Sequence, residues 1–326
     1  MPNARTLALL LAVCPATVAF RSASAYTSHL RLCMSSFSSS PSSTLTSSAS
    51  TPIYAYLSVE STQTTARELL LSRTDQANQC APFSVLAGSQ GLGRGTNSRT
   101  WISPPDNLYV TVVVPSSKLL VPGAFPLSLV PLKVGTVVHS AITKVLPSAA
   151  AASVSLKWPN DVLVDGKKVA GVLIEMDRNC FLIGVGCNVG VAPTVAKEGR
   201  ELGREAGRLL DYCYVEGDAG NGNGTGSGNA HGIKPEGVKA IIAELADTIT
   251  SDIHAWAENC EGTGDQVVED FSRHVEFNRR IQMRTENGEG GGRGRWVTPL
   301  NLERDGRLRV RVEGGGVEVL TSDYTI

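Results

Sequence analysis

The chain has 326 residues, 42% of them hydrophobic and 19% charged, enough for one large domain with a smaller one and too mixed for a fibrous or membrane-embedded architecture. Its longest uncharged apolar stretch, Thr6 to Phe20, is too short to span a bilayer. Basic and acidic residues number 30 and 31, and Arg5, Arg21 and Arg31 all precede the first acid at Glu60. The remainder is therefore more acidic than the whole, which disfavours a basic nucleic-acid binder; no DNA binding is expected.

Residues 1–53 read as an address rather than a fold. A short n-region with Arg5 precedes the apolar run Leu7 to Phe20 and an acid-free Ser/Thr-rich tail from Ser35 to Thr51. This order resembles a signal peptide followed by a transit-like segment, with Phe20 following Val18-Ala19 as an aromatic residue follows a cleavage site. Delivery to a plastid is the expectation, with no membrane attachment after processing; a cytoplasmic or mitochondrial location is the alternative.

From Pro52 onward strand-like and helix-like segments alternate, which argues an α+β fold built on a mixed or antiparallel sheet. Ile53–Ser58 reads as a strand, Thr64–Arg73 as a helix, then a glycine-punctuated loop. Asn107–Pro115 is a strand, and Pro126–Leu146 is a buried helix that Pro131 makes start late. Ser153–Trp158, Lys168–Met176 and Cys180–Val189 are further strands, the first two separated by the turn dipeptide Asp165-Gly166. Residues 217–232 hold seven glycines and read as part of an insertion over 195–235. Val238–Trp256 has the apolar spacing of an amphipathic helix. The domains expected are thus a presequence and linker over 1–53, a main domain over 54–260 and a small β-barrel over 270–326. The seven cysteines (14, 33, 80, 180, 187, 213 and 260) make no CxxC pair and lack His at metal-ligand spacing, so reduced structural thiols are expected rather than a zinc site or disulfide framework.

Four segments carry patterns that packing does not require. Residues 88–101 (GSQGLGRGTNSRTW) have glycines at 91, 93 and 95 that let a backbone approach an anion, with Arg94 and Arg99 as planar cationic donors. No Gly-Lys-Ser/Thr follows, so this is not a P-loop, and the dinucleotide fingerprint fails at Ser98. Lys157-Trp158-Pro159-Asn160-Asp161 sets polar side chains on a proline turn at a strand end. Lys167-Lys168 open a strand whose Gly171 leaves the backbone bare, and Gly184 and Gly186 do the same on the strand that ends at Asn188. Taken singly, the last two are also compatible with ordinary bulged strands.

In combination these segments resemble the biotin protein ligase family. Gly93-Arg94-Gly95, Trp101-Ile102-Ser103-Pro104, Asn107-Leu108-Tyr109, Lys157–Asp161, Gly166–Gly171 and Gly184–Val189 stand in the family's order. The resemblance implies a mixed-sheet catalytic domain with a small C-terminal SH3-like barrel. It implies biotin and ATP with Mg²⁺ as substrates, biotinyl-5′-AMP as intermediate, and transfer of biotin to a carrier lysine. Lys168, Arg94, Arg99 and Asp161 are the implied catalytic residues, with Asp161 orienting or deprotonating the incoming amine. Ser61, Thr62, Gln63, Gln90, Gly93, Gly95, Trp101, Gly171, Gly184 and Gly186 are implied to hold biotin, and Asn188, Asn160 and Lys157 the nucleotide. No side-chain metal cluster is expected, Mg²⁺ arriving with ATP. The implied partner is the carrier domain of a biotin-dependent carboxylase, acetyl-CoA carboxylase if the plastid reading holds, and the chain is expected to be a monomer or homodimer. A lipoate or octanoate ligase, or a non-catalytic biotin-binding module, is the alternative. The chain departs from the family's pattern at Thr96, where an arginine is common.

Overall fold

The structure is a computed structural model that describes residues 43–46, 51–73, 81–96, 99–120, 125–194, 205–213, 235–283 and 295–321. Its main sheet is built from β1 (Ser43–Thr46), β2 (Pro52–Tyr56), β3 (Phe83–Ala87), β4 (Leu108–Pro115), β5 (Val154–Lys157), β6 (Asp161–Val164), β7 (Lys167–Asp177) and β8 (Cys180–Cys187). The spatial order is β1-β2-β3-β4-β8-β7-β6-β5. Only the pair β2 and β3 is parallel, as the crossover through α1 (Thr62–Ser72) requires. The other neighbours are antiparallel, most of them strands that follow one another without a helix, and β4 with β8 across a long excursion of the chain.

Two-residue turns fix the register of the long hairpins. Asp165 and Gly166, both at positive φ, join β6 to β7, and Arg178 and Asn179, also at positive φ, join β7 to β8. The sheet is covered on both faces, so its central strands read as continuous apolar runs. α1 packs Ala66 and Leu70 against Phe83, Val85, Val113 and Leu182 on one face. On the other, α3 (Val130–Val145) and α5 (Pro235–Glu258) bury Leu132, Val138, Ile142, Leu245, Ile249 and Ile253 against the strands. The short helices α2 (Ser116–Leu119), α4 (Ser148–Ala151) and α6 (Gly264–Ser272) complete this layer.

The C-terminal strands β9 (Ile281–Met283), β10 (Arg295–Leu302), β11 (Leu308–Val312) and β12 (Val317–Leu320) form a four-stranded antiparallel sheet in the order β12-β11-β10-β9. Val297, Leu302, Leu308 and Val310 belong to the same apolar core as α3 and α5, so this sheet is packed on the main unit rather than tethered to it.

Several expectations are corrected. β3 lies inside the stretch read as loop, because four apolar residues and Ser84 between turn formers carry no alternation to betray a strand buried on both faces. β6 begins within the segment read as a turn at Lys157–Asp161, and α3 starts at Val130 after a 3-10 turn over Leu127–Leu129. β1 comes from the tail read as linker, where it pairs with the open edge of β2. Within the expected insertion, residues 205–213 are held against β7 and the end of β8, through Lys168 N to Glu205 O at 2.9 Å and Leu209 N to Asn188 O at 2.9 Å; the glycine-rich run itself lies outside the described residues. Cys187, Cys213 and Cys260 are free thiols, but Cys180 is disulfide-bonded, against the expectation of reduced cysteines throughout.

Two buried histidines tie helices to strands. His139 Nε2 lies 3.2 Å from Val154 O and its ring stacks on His274 at 3.9 Å, while His254 Nε2 lies 3.3 Å from Ser84 Oγ. Burial pushes both down to about 4, with His274 adding to the effect at His139, so the fold holds them neutral. An unfolded histidine titrates near 6.5 and binds its proton first on acidification. Each site should therefore lose stability as pH falls from about 6.5 to about 4, by on the order of 3 kcal/mol apiece. Urea unfolding at pH 7.5 and pH 4.5 should give a large drop, smaller in His254→Gln; equal stabilities at the two pH values would contradict it.

Candidate active site

The N-terminus of α1 starts the site. Ser61 precedes the helix in extended conformation, yet its hydroxyl makes no capping bond. Gln90 caps instead: the Thr62 backbone N–H donates to Gln90 Oε1 at 2.8 Å. A backbone N–H can only donate, so this bond sets the orientation of the Gln90 amide and, with it, the direction of every proton that follows. Thr62 Oγ1 donates to Gln90 Oε1 at 3.2 Å and accepts from Thr111 Oγ1 at 2.9 Å. On the far side Gln90 Nε2 donates to Ser103 Oγ at 2.9 Å, and Ser103 Oγ donates to Trp101 O at 2.9 Å. A one-way chain thus runs from the floor of β4 to the loop that carries Trp101.

Gly171 of β7 and Gly186 of β8 stand opposite each other in the ladder, and the Trp101 indole lies across both. A Cβ on Gly186 would be 2.7 Å from Trp101 Cε2 and Nε1, and one on Gly171 3.1 Å from Cζ3. Gly184 makes room for the Gln63 amide, whose Nε2 donates to Leu173 O and Leu182 O at 3.2 Å each. Trp101 Nε1 and Gln63 Oε1 are buried with no hydrogen-bond partner among the described residues. The bare backbone expected to leave room for a ligand is thus covered, in this state, by the protein's own indole and amide. Gly93 is required for a different reason, since a Cβ there would run into Trp101 O and Ser103 Oγ; Gly95 meets nothing closer than Arg99 O at 3.5 Å.

The cationic side of the site depends on a β-bulge. Asp161 pairs with Gly171, Val162 with Ala170, but Leu163 with Lys168, so Val169 is the extra residue on β7. In a regular strand Lys168 and Gly171, three apart, would point to opposite faces; the bulge turns both toward Asp161. Lys168 Nζ then reaches Asp161 Oδ1 at 2.6 Å, Lys157 Nζ reaches Oδ2 at 3.3 Å, and Lys168 Nζ stands 5.1 Å from the Trp101 ring centre. Burial alone would raise the Asp161 carboxyl, but the two ammonium groups together hold it below the usual carboxylate range. A carboxylate clamped this way holds and aims Lys168 and is a weak acceptor for a further proton.

The remaining expected residues take varied places. Arg94 Nη2 lies 3.1 Å from Glu175 Oε2 on β7, which Arg67 of α1 also engages at 3.0 Å; Arg67 reaches Asp177 at 3.4 Å as well. Arg99 is folded onto its own loop, donating to Thr96 O at 3.0 Å and Thr96 Oγ1 at 2.6 Å. Asn160 Nδ2 donates to Val172 O at 2.7 Å and so pins the turn to β7. Asn188 binds beside Lys168 through its N–H to Val169 O at 2.8 Å and spends Nδ2 on Gly207 O at 3.0 Å; its buried Oδ1 has no partner among the described residues. Asn107 accepts N–H bonds from Val189, Gly190 and Val191 at 2.8, 3.1 and 3.0 Å, and Tyr109 donates to Pro104 O at 2.8 Å, which accounts for the Asn-Leu-Tyr segment as a brace for both neighbouring loops. Among the described residues no group of His, Cys, Asp and Glu is placed to hold a metal ion.

A sequence profile described as "Biotin/lipoate A/B protein ligase family" matches residues 55–191, the stretch that contains this whole cluster. The match covers 137 of the 326 residues, so the likeness to this family is carried by residues 55–191. The bifunctional ligase/repressor BirA of Bacillus subtilis is 37% identical over 143 residues, covering 41% of this chain and 39% of the relative. The biotin–[acetyl-CoA-carboxylase] ligase of Paracoccus denitrificans is 33% identical over 138 residues, covering 38% of this chain and 55% of the relative. The chain therefore spans about half, or less, of the length of the curated relatives it matches. The crystal structure of biotin protein ligase from Leishmania major in complex with biotinyl-5-AMP is 26% identical with a TM-score of 0.54, covering 83% of this chain and 98% of that one. Biotin protein ligase from Aquifex aeolicus in complex with biotin and ATP shares the fold, at 20% identity and a TM-score of 0.52, with 83% and 96% covered.

Motif reading pointed to Lys168, Asp161, Gln90, Thr62 and the glycines, which the structure brings together, and passed over Thr111, Ser103 and Glu175, which are bonded or ion-paired into the same cluster. Thr111 had a signal, a buried threonine in a strand otherwise made of aliphatic residues, Tyr109 and a terminal proline. The weight carried by the Asp161 cluster can be measured. Lys168→Met leaves a largely buried carboxylate with one cation and should cost about 2 kcal/mol of stability at pH 7. Adding Asp161→Asn should recover most of that loss in urea denaturation; additive losses would show that the two side chains are not coupled.

Proposed function

We propose that this chain is an ATP-dependent biotin ligase that forms biotinyl-5′-AMP and passes biotin to a lysine on the carrier domain of a biotin-dependent carboxylase, acetyl-CoA carboxylase among them. The observation that carries the reading is the placement of a hydroxyl-and-amide wall and a lysine cation on the two sides of a glycine floor covered by Trp101. A ureido group offers two N–H donors and one carbonyl, matched here by the spare lone pair on Thr62 Oγ1, the unpaired Gln63 Oε1 and the uncommitted Ser61 hydroxyl. The likeness to a biotin protein ligase solved with biotinyl-5-AMP supports the same ligand class.

In the first step a biotin carboxylate oxygen forms a bond to the α-phosphorus of MgATP as the bond to the bridging oxygen breaks, and pyrophosphate leaves. Two anions meet, so Lys168 neutralises charge at the acyl phosphate while Arg94 leaves Glu175 for the phosphates. Asn188 offers its unpaired Oδ1 toward the nucleotide and its cation. In the second step the carrier amine attacks the acyl carbon, AMP leaves and an amide forms, with one proton released. Because Asp161 is committed to two ammonium groups, its part is to aim Lys168 rather than to take that proton.

Residues 52–326 incubated with biotin and MgATP should exchange labelled pyrophosphate into ATP; exchange with lipoate and none with biotin would replace the reading with the alternative ligase. Lys168→Ala should abolish carrier biotinylation, and an undiminished rate would remove Lys168 from the mechanism. Thr96→Arg adds a cation to the loop and should slow release of biotinyl-AMP in a chase experiment, since the loop now spends Arg99 on Thr96 itself; an unchanged release rate would count against that role for the loop. For the presequence we propose plastid delivery, tested by a fluorescent fusion of residues 1–55, which on this reading leaves the cytosol.

A further inference from the structure

β5 is the last strand of the main sheet, so one of its edges has no strand beside it. That edge is taken up by the C-terminal part of the chain: the Leu156 N–H donates to His274 O at 2.7 Å, and Leu156 bridges Val275 in parallel. Two residues on, the Trp158 indole N–H donates to Gly306 O at 2.9 Å. Gly306 lies in the turn between β10 and β11 at a φ of 81°, and a Cβ there would stand 2.7 Å from Leu129 Cδ2 and 3.1 Å from Leu132 Cδ1. Ser128 Oγ donates to Asp305 O at 2.5 Å in the same turn. The C-terminal sheet thus presses bare backbone into the start of α3 and, from there, holds Trp158.

Lys157 sits between these two holds, at Leu156 and Trp158, and the next residues lead through a cis Trp158-Pro159 peptide to Asp161. The opposite flank of the turn is fastened to β7 by Asn160, through Asn160 Nδ2 to Val172 O at 2.7 Å and Val172 N to Asn160 O at 3.0 Å. The segment that places Lys157 and Asp161 around Lys168 is therefore gripped from both sides, and one grip belongs to a different part of the fold. We infer that Trp158 and Gly306 form a latch by which the C-terminal sheet positions the Lys157–Asp161–Lys168 cluster. Both are positioning residues for the reaction proposed above, and the inference rests on that reading. Neither touches the Thr62, Gln63 and Gln90 wall at the other end of the site, so loss of the latch should slow the chemical step and leave biotin binding intact.

The test compares the full chain with its Trp158→Phe variant, which keeps apolar bulk and drops the N–H donor. The kcat for biotinyl-AMP formation should fall by about tenfold with the KM for biotin within about twofold, because misplacement of a charged group by a fraction of an ångström weakens transition-state contacts and not distant ground-state ones. Amide hydrogen exchange in residues 154–164 should accelerate while residues 61–70 stay as in the wild type. Gly306→Ala, which forces a Cβ against Leu129, should move both readouts the same way. An unchanged kcat, or equal losses in kcat and biotin affinity, overturns the positioning role. Were the wild type itself to form no adenylate, the proposed function would fall, and the exchange comparison would still decide the latch: faster exchange at 154–164 in Trp158→Phe supports it, unchanged exchange overturns it.

Discussion

The site depends on keeping one carboxylate charged where burial works against charge. Asp161 is only 12% exposed, and an isolated ion so placed would cost several kcal/mol in lost hydration. Two ammonium groups offset that cost, and they are available only because β7 carries an extra residue at Val169 that turns Lys168 to the face of Gly171. The bulge, the carboxylate and the two lysines form one arrangement: without the bulge Lys168 points away, and without Asp161 two cations crowd each other. The outcome is a lysine whose long, flexible stem is aimed before any substrate arrives, which reduces the ordering that binding must supply.

The opposite wall uses neutral groups in the same spirit. Gln90 accepts from the first N–H of α1, and that single bond orders Thr111, Thr62, Ser103 and the backbone of Trp101 into a directed series. The lone pairs and hydroxyl left over are those that no internal partner claims. Trp101 lies between the two walls, its backbone tied to the neutral series and its ring facing the Lys168 ammonium, so the covering residue is fastened to both chemistries at once.

How much of this the amino-acid sequence discloses depends on how local each feature is. β2, β4, β7, β8, α1, α3 and α5 are written in runs and periodicities of their own residues and were legible. β3 and α6 were not, being short and bounded by residues that also favour turns. The site residues were legible as short motifs: Lys157–Asp161, Lys167–Gly171 and Gly184–Asn188 are contiguous, and their types suit anion chemistry. Their geometry was hidden wherever it depends on pairing across strands. The bulge at Val169 has no marker in Lys-Lys-Val-Ala-Gly, and nothing in the chain order brings Trp158 to Gly306 or Thr111 to Thr62. The glycines misled in one respect: an absent side chain tells where space exists and not what fills it, and here Trp101 and Gln63 fill it.

Glu175 receives two guanidinium groups on one oxygen, from Arg67 on the rigid helix and Arg94 on the glycine loop. Such a shared acceptor makes release of the loop arginine inexpensive: were Arg94 drawn to an anion, the carboxylate it left would still be neutralised by Arg67. The helix arginine acts as a standing counterion, so Glu175 does not depend on the loop for its charge to be balanced.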